Sequence, residues 1–314
     1  MSNLTARVLV ALVGIPCILL LTLAGGFYFF GLVIVLSSVA LSEFYALSRT
    51  KGASPQVGTG LVFGGCVTVV FLYNKLQYAL LSTLDQSGVS IPLPTMTQAL
   101  LIVLLVFVLF VFLVELLRTK GSSLLNAATT ILGVVYVSLF MGSLVGLREL
   151  FVPADFPVYR YFDVRGLAMP AEVIEQAYTW GGYTVVTIFA AIWLCDSAAY
   201  FAGTIFGKHK LFERISPRKT WEGAIAGFVF AVGTFIAARE LVVPYLSFGH
   251  AVACGAIVGV FGQLGDMVES MMKRDAGVKD SSALIPGHGG VLDRFDSLIF
   301  VSPVLFLYLD FIVF

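Results

Sequence analysis

Charged residues are scarce in this 314-residue chain. Lysine, arginine, aspartate and glutamate together make up 12% of it, whereas an ordinary soluble domain carries about 25%. Hydrophobic residues make up 59% of the chain, and the mean hydropathy is +0.96. This composition excludes a water-soluble globule, because too few polar side chains are present to cover the surface of one.

Cysteine and histidine are equally sparse. The chain has four cysteines and three histidines, and the cysteines (Cys17, Cys66, Cys195 and Cys254) lie singly within apolar runs. Without a CxxC pair or a cysteine–histidine cluster, the sequence indicates neither a disulfide framework nor a zinc site. We therefore expect each cysteine to be a small buried hydrophobic side chain.

Long apolar runs fill the chain instead. A helix needs roughly 17–25 apolar residues to cross a bilayer, and such runs recur from end to end without the alternation of a membrane strand. The pattern predicts an all-α, polytopic integral membrane protein with about nine transmembrane helices and a polar cavity that faces the cytoplasm. The predicted spans are about 8–24, 27–47, 58–73, 97–117, 126–147, 183–205, 222–243, 250–272 and 297–313.

Three segments organise the chain. Residues 1–147 are predicted to form N-terminal transmembrane helices, and residues 148–182 a loop on the non-cytoplasmic side. Residues 183–314 form a C-terminal transmembrane region that holds the candidate catalytic residues. This region includes two cytoplasmic loops, 206–221 and 273–296, which we expect to meet at one cytoplasmic mouth.

Basic residues are distributed unevenly between the two sides of the membrane. If successive connections alternate sides, one side holds 14 of the 19 lysines and arginines. The other side holds only Lys75, Arg148, Arg160, Arg165 and Arg239. Cytoplasmic loops carry an excess of lysine and arginine, so the split predicts a cytoplasmic N-terminus and a C-terminus outside. The expected location is the cytoplasmic (inner) membrane.

One stretch gathers the charge that the rest of the chain avoids. Residues 270–296 hold eight of the 38 charged side chains, and Asp266 lies just before them. Gln263, Asp266, Ser270 and Lys273 follow at spacings of three, four and three, which places them on one helical face. A carboxylate inside a span is costly and normally faces a partner or a water-filled cavity. Taken alone, Asp266 could equally form an ion pair that joins two helices.

Two more carboxylates return to the same membrane depth after this loop. Asp293 and Asp296 stand in the run Asp-Arg-Phe-Asp, just before the last predicted span. Carboxylates that converge on one cavity favour a hard, oxygen-seeking cation such as Mg²⁺. We therefore predict that Asp266, Asp293 and Asp296 bind Mg²⁺, and a second cation is an open alternative.

Cations and glycines lie between these acids. The cations are Lys273, Arg274, Lys279 and Arg294. Such side chains bind phosphate, although ordinary flanking of a membrane span would also explain their presence. Gly289 and Gly290, next to His288, allow the backbone to approach a ligand closely. Acids, cations and glycines together predict a metal–nucleotide or metal–phosphate site.

A second polar region precedes and opens the seventh predicted span. Asp196 lies within an apolar run, and it is either a further metal or nucleotide contact or a helix-pairing acid. Arg218 and Lys219 lie just before Trp221. These cations either contact phosphate or, with the tryptophan, anchor the chain at the membrane interface.

The residues from Ser270 to Asp296 resemble the signature of the phosphatidate cytidylyltransferases, also called CDP-diacylglycerol synthases. The stretch contains Ser-x-Met-Lys-Arg, then Lys-Asp-x-Ser, then Ile-Pro-x-His-Gly-Gly-Val-x-Asp-Arg-Phe-Asp, without a departure from that pattern. The Ser-Pro-Arg-Lys-Thr-Trp-Glu-Gly segment at 216–223 also resembles this family. The first five predicted spans add a similar architecture only.

The resemblance implies an Mg²⁺-dependent nucleotidyltransferase that joins CTP to phosphatidate, giving CDP-diacylglycerol and pyrophosphate in phospholipid biosynthesis. The catalytic residues that it implies are Asp266, Lys273, Asp293 and Arg294. The metal ligands are Asp266, Asp293 and Asp296, with Asp196 as an open fourth. The substrate- and phosphate-binding residues are Arg218, Lys219, Ser270, Arg274, Lys279, His288, Gly289 and Gly290. The implied partners are CTP, phosphatidate and the lipid bilayer, with no nucleic acid, and a homodimer stays open.

Two other functions are alternatives on these residues. A membrane transporter with an acidic cation site also places acids within spans, but many transporters have inverted repeats, and we detect none in this sequence. A CTP-dependent lipid kinase is the nearest chemical neighbour. Its product is a phosphorylated alcohol rather than CDP-diacylglycerol, so the lipid product separates the two enzymes.

Reporter fusions test the predicted topology. We expect a reporter at the N-terminus to report the cytoplasm and one at the C-terminus to report the outside, because nine spans and the asymmetry of basic residues both require it. A reporter fused after Lys120 should report the cytoplasm. Two termini on the same side would contradict the prediction.

Overall fold

The computed structural model describes residues 3–73, 75–77, 94–151, 171–285, 287 and 289–314. Nine helices and one two-stranded sheet are found within these residues. The helices are α1 (Asn3–Ala24), α2 (Gly26–Thr50), α3 (Val57–Val70), α4 (Met96–Leu117), α5 (Ser123–Glu149), α6 (Ala171–Phe206), α7 (Trp221–Leu241), α8 (Phe248–Asp275) and α9 (Leu292–Val313). The strands are β1 (Lys210–Phe212) and β2 (Ser216–Thr220).

The predicted class of polytopic α-helical membrane protein is confirmed. Seven of the described helices, α2 and α4 to α9, are long and apolar enough to cross a membrane. The other two correspond to the shorter apolar stretches Val10–Ala24 and Val57–Val70. Each predicted span coincides with one helix, because the apolar runs that fill a bilayer are the same runs that form the helices.

Short polar residues begin several of these helices. Thr95 begins α4 with a capping box: its hydroxyl accepts from the Gln98 amide at 3.2 Å, and the Gln98 side chain accepts from the Thr95 amide at 2.9 Å. Thr220 caps α7 and Ser247 caps α8 through the hydroxyl alone, which accepts from the Gly223 amide and the His250 amide respectively. These contacts satisfy amide groups that the first turn of a helix leaves without a partner.

The predicted loop at 148–182 is too long at its C-terminal end. Helix α6 begins at Ala171, and residues 152–170 lie outside the described part of the chain. The polar side chains that suggested a loop lie at the start of α6. Glu172 is in the first turn, where a negative charge interacts favourably with the positive end of the helix dipole. Burial of Ala177 and Trp180 then stabilises the helix, and the sequence pattern alone does not reveal this tertiary contact.

The two predicted cytoplasmic loops also differ from the structure. The loop at 206–221 contains β1 and β2, which pair in antiparallel fashion, so the fold is not purely helical. The loop at 273–296 is shorter than predicted, because α8 continues to Asp275 and α9 begins at Leu292. Six of its eight charged residues therefore lie on the ends of two helices, since helical backbone satisfies its own polar groups near the membrane.

Apolar side chains cover the outside of the helices as well as the core. Helix α4 has the highest mean hydropathy of the candidate spans, 3.4, yet only 17% of its most apolar window is buried within the protein. The prediction that every cysteine is buried is wrong for Cys17 and Cys66, although Cys195 and Cys254 are buried. A helix surface that faces lipid needs no polar residues, so an apolar environment does not imply a protein core.

The chain divides into two compact units. The first comprises Met1–Leu19 together with Gly182–Phe314, and the second comprises Leu20–Gly181. In the first unit α8 packs between α7 and α9. A Cβ at Gly265 on α8 would lie 2.5 Å from the Asp296 carbonyl oxygen, so only glycine permits the close approach of α8 to α9.

A buried arginine joins several helix ends in the second unit. Arg148 is 0% exposed, and its guanidinium donates to the carbonyls of Thr22 and Leu23 at 2.7 and 3.0 Å. These carbonyls belong to the last turn of α1, where intrahelical partners run out. Its neighbour Glu149 accepts from the Gly26 amide at 2.8 Å, in the first turn of α2. This pair therefore stabilises the turn between α1 and α2.

We expect Arg148→Met to destabilise the protein strongly. The change leaves two helix-end carbonyls without their donor, and each buried polar group left unsatisfied costs about 1–3 kcal/mol. Thermal melting in detergent measures the loss. Arg49→Met, at an exposed position in the last turn of α2, is the control and should melt like the unmodified protein. Equal melting of all three proteins would contradict the prediction.

Candidate functional site

One face of α8 carries the first part of the candidate site. The Ser270 hydroxyl donates to the Asp266 carboxylate at 3.3 Å, which confirms that the two residues share this face. One turn further on, the Lys273 ammonium lies 2.5 Å from the Glu269 carboxylate, an ion pair at the i,i+4 spacing of a helix. The polar residues at the end of α8 are therefore paired along the helix.

Asp293 is the most fully bonded carboxylate among the predicted site residues. It lies in the first turn of α9, and its side chain is 3% exposed. One oxygen accepts from the Lys273 ammonium at 2.6 Å. The other accepts from the Ser281 amide at 2.9 Å, the Ser281 hydroxyl at 2.8 Å and the Gly290 amide at 2.7 Å. Asp293 thus connects α8, the intervening loop and α9.

These contacts bear on one expectation. We predicted that Asp293 binds a metal, and in the structure Lys273 pairs with one of its oxygens. A carboxylate buried at a helix terminus needs donors to replace water, and the loop folds so as to supply them. Its role as a metal ligand remains a prediction.

The glycines of the loop shape the pocket around Asp293. Gly289 has a φ of +83°, and a Cβ there would lie 2.7 Å from an Asp293 carboxylate oxygen. Both its backbone conformation and this close approach therefore require glycine. The Gly290 amide donates to Asp293, so in this structure it serves the protein rather than a phosphate. His288 lies outside the described residues.

The hairpin of β1 and β2 places a lysine at the same site. Lys219, on β2, lies 2.7 Å from the Asp266 carboxylate. The hairpin is fixed to the start of α7, because the Trp221 amide donates to the His209 carbonyl at 2.9 Å and the His209 ring pairs with Glu222 at 2.7 Å. Lys219 therefore reaches α8 from a rigid connection.

Two further carboxylates lie near Asp266 within the first unit. Asp196 on α6, Asp266 on α8 and Asp296 on α9 are close enough for their negative charges to interact. Like charges placed together favour a bound cation, and carboxylate oxygens suit Mg²⁺. Within the described residues, however, no group of three or more histidine, cysteine, aspartate or glutamate side chains is arranged to hold a metal ion.

The donor set still fits Mg²⁺ in one respect. Magnesium usually keeps several waters and is bound through one or two protein carboxylates plus substrate phosphates. A preformed cage of three protein ligands is therefore not required. Asp266 is partly exposed, at 37% of its side chain, and faces the Lys219 cation. It suits a site that a metal–nucleotide complex completes.

The remaining predicted cations lie at the surface of the protein. Arg218, Arg274, Lys279 and Arg294 are exposed. Long, exposed cations can attract polyanions. The structure thus pairs Asp266 with Lys219 and Ser270, pairs Lys273 with Asp293, and leaves these four cations exposed.

Two residues of the network are absent from the predicted site. Glu269 could have been identified from the sequence, since it lies four residues before Lys273 on the same helix. Ser281 could not, because its contact with Asp293 depends on how the loop folds back. Periodicity gives the faces of helices but not the path of a loop.

Comparison with known proteins shows similarity along almost the whole chain. The sequence model of the cytidylyltransferase family matches residues 5–312. A Synechocystis protein named phosphatidate cytidylyltransferase is 32% identical over 306 residues, covering 97% of this chain and 96% of the relative. A Bacillus subtilis protein of the same name is 30% identical over 312 residues, 98% of each chain. A Staphylococcus haemolyticus protein of that name is 46% identical over 125 residues, 40% of this chain and 48% of the relative.

We expect Asp293→Asn to lose both stability and turnover. The substitution replaces one carboxylate oxygen with an NH₂ group, which cannot accept a hydrogen bond. Either the Lys273 contact or the three contacts from Ser281 and Gly290 would be lost, so the loop would lose its attachment to α9. Turnover should fall roughly 100-fold, equivalent to about 2.7 kcal/mol. Melting in detergent and turnover per folded molecule measure the two effects.

Asp310→Asn is the matched control for this substitution. Asp310 is an exposed aspartate at the opposite end of α9, and its change should leave both quantities nearly unaltered. Normal turnover in Asp293→Asn, or equal losses in the two variants, would contradict the central role of Asp293.

Proposed function

Since the chain belongs to the cytidylyltransferase family, we propose that it joins CTP to phosphatidate and releases CDP-diacylglycerol and pyrophosphate. One observation carries the proposal: the Lys219–Asp266 and Lys273–Asp293 ion pairs bring cations and carboxylates from three elements to one site. The two relatives that match nearly the whole chain are named phosphatidate cytidylyltransferase. The reaction supplies a lipid-linked nucleotide for phospholipid biosynthesis.

The reaction needs little acid–base chemistry from the protein. An oxygen of the phosphatidate phosphate attacks the α-phosphorus of CTP, a new P–O bond forms, and the bond to the β-phosphate oxygen breaks. Pyrophosphate leaves with that electron pair. The second pKa of a phosphate monoester is about 6, so the attacking group is largely ionised near neutral pH. A general base is therefore not required.

The difficulty is to bring two polyanions together. The Lys273 ammonium, held at 2.6 Å by Asp293, provides a fixed positive charge beside the substrates. Lys219 provides a second, and the exposed Arg218, Arg274, Lys279 and Arg294 bind outer phosphate oxygens. Ser270 adds a hydroxyl beside Asp266. Positioning and electrostatic stabilisation of this kind supply much of the rate in phosphoryl transfer.

Mg²⁺ is the cofactor that the carboxylates suit. Asp266 and Asp296 are its proposed ligands, together with Asp293 if one of its present donors moves, and Asp196 is a further ligand or a site for a second cation. When bound, Mg²⁺ would neutralise triphosphate charge and stabilise the pyrophosphate leaving group. Lys219 now neutralises Asp266, and it would be free to contact phosphate once a metal takes over that task.

The membrane fold suits these substrates. The diacyl chains of phosphatidate stay in lipid, while the charged helix ends meet the headgroup and soluble CTP. Because CTP is cytoplasmic, the hairpin and the loop between α8 and α9 face the cytoplasm in our proposal. The N-terminus then lies in the cytoplasm and the C-terminus outside, as the basic residues predict. One copy holds every proposed site residue, so the proposed chemistry does not require a dimer.

Labelled CTP tests the proposal directly. Purified protein in detergent, with phosphatidate and Mg²⁺, should transfer a cytidine label into lipid and release pyrophosphate. A CTP-dependent lipid kinase would instead transfer the γ-phosphate label to lipid, and a transporter would label no lipid. If CTP, phosphatidate and Mg²⁺ are all present and no lipid-linked cytidine forms, the proposal is refuted.

Asp266→Asn tests in the same assay whether Asp266 belongs to the site. The change keeps the size of the side chain but removes the charge that faces Lys219, so we expect turnover to fall at least about 100-fold. Glu240→Gln, at the opposite end of α7, is the control and should keep normal turnover. Full activity of Asp266→Asn across a Mg²⁺ titration would exclude Asp266 from the site.

A further inference from the structure

Glu269 is a buried carboxylate that the proposed reaction does not yet use. It lies on α8 between Asp266 and Lys273, and it is 0% exposed. Both of its carboxylate oxygens are shut off from solvent. An acid in this position is expensive at the end of a membrane helix, so its presence calls for a physical reason.

The Lys273 ammonium lies between two carboxylates. Its nitrogen is 2.5 Å from a Glu269 oxygen and 2.6 Å from an Asp293 oxygen, and the lysine side chain is only 12% exposed. An ammonium group has three hydrogen atoms to donate. Two contacts fix its direction and leave one hydrogen for a phosphate oxygen.

Helix cohesion alone does not account for Glu269. The Lys273–Asp293 ion pair already links α8 to α9, and Glu269 adds a contact with Asp293 to its ion pair with Lys273 on the same helix. Exposed pairs at this spacing contribute only about 0.3–0.5 kcal/mol, and burial adds a desolvation penalty. The second carboxylate is better explained by what it does to the lysine itself.

The lysine side chain is flexible, which gives the second carboxylate a role. Lysine carries its charge on a four-carbon stem with many rotamers. Bound to Asp293 alone, the ammonium could rotate about a single contact. Bound to Glu269 as well, it is held at one point between α8 and α9. A fixed cation stabilises a transition state more than a mobile one does, because it does not have to reorient during the reaction.

We propose that Glu269 is a positioning residue, which fixes the Lys273 ammonium for contact with a substrate phosphate. This inference rests on the proposed cytidylyl transfer. Glu269 acts through Lys273 and does not touch substrate or metal, since its oxygens are closed off from solvent.

A double-mutant cycle tests the proposal. The variants are Glu269→Gln, Lys273→Met and the double substitution, each assayed for kcat, for KM with CTP and for the Mg²⁺ concentration that gives half of full activity. We expect Glu269→Gln to lower kcat about 10- to 100-fold, equivalent to about 1.4–2.7 kcal/mol. The Mg²⁺ dependence should not change. The double variant should be no worse than Lys273→Met, because residues that act as one unit are not additive.

Each other result overturns the proposal. Losses that simply add would mean that Glu269 acts independently of Lys273. A rise in the Mg²⁺ requirement of Glu269→Gln would make the residue a metal ligand. A lower melting temperature with kcat per folded molecule unchanged would make it purely structural. If Glu269→Gln does not fold, Glu269→Asp, which keeps the charge but is one methylene shorter, should show the same loss of kcat.

A buried glutamate elsewhere provides the matched control. Glu115, in the second unit, has a 4% exposed side chain and pairs with Arg118 at 2.6 Å on one helix end. We expect Glu115→Gln to lower the melting temperature without changing kcat. A similar fall in kcat there would show that loss of any buried acid disturbs turnover, and the proposal would fail.

Nucleotide binding separates this proposal from the proposed function. CTP with Mg²⁺ should raise the melting temperature of the unmodified protein, and should raise that of Glu269→Gln less, because the cation is no longer fixed. If the unmodified protein forms no lipid-linked cytidine, the proposed function fails while this comparison still judges Glu269. Equal stabilisation of both proteins by CTP would overturn the positioning role.

Discussion

The site depends on one ion pair, between Lys273 near the end of α8 and Asp293 in the first turn of α9. At 2.6 Å it joins two helices whose ends carry most of the charge of this region. The second Asp293 oxygen takes three donors from that loop, so a single carboxylate determines both the distance between the helices and the course of the chain between them. In a setting of low dielectric constant, such charge-assisted contacts are stronger than in water, and leaving one unmade is costly.

Buried acids in the two units differ in how they are satisfied. In the second unit Glu115 accepts from Gln56, Arg118 and Asn126, at 2.8, 2.6 and 3.3 Å. Glu149 there accepts from an amide and a tyrosine hydroxyl. These acids are surrounded by donors, as expected of carboxylates that stabilise a fold.

Asp293 in the first unit is likewise surrounded by donors, but three other acids of that unit have a different environment. Asp196, Asp266 and Asp296 come from three helices and face one another closely enough for their charges to interact. Such an arrangement opposes folding unless a cation or a polar ligand compensates it. The fold retains it beside Lys219, which pairs with Asp266, and clustered acids of this kind within a membrane protein are typical of a functional site.

The sequence alone determined the class of the protein and most of its candidate site. Apolar runs predicted the nine helices, because the thickness of a bilayer sets the length of a span. The spacing from Asp266 to Lys273 predicted a shared face, because an α-helix repeats every 3.6 residues. The unbroken signature from Ser270 to Asp296 pointed to the family that the full-length matches then established. Each of these properties is local or periodic, and so can be seen in a linear pattern.

Only the tertiary structure decided which partner each charged residue takes. It paired Lys219 with Asp266 across the hairpin, turned Asp293 toward Lys273 and Ser281, and enclosed Glu269. It also extended α6 back to Ala171 and placed a small sheet in a predicted loop. These outcomes depend on contacts between residues far apart in the chain and on the path of loops, which neither hydropathy nor helical periodicity encodes. Each carboxylate pairs with the donors that lie within hydrogen-bonding distance, and these distances are set only when the chain folds.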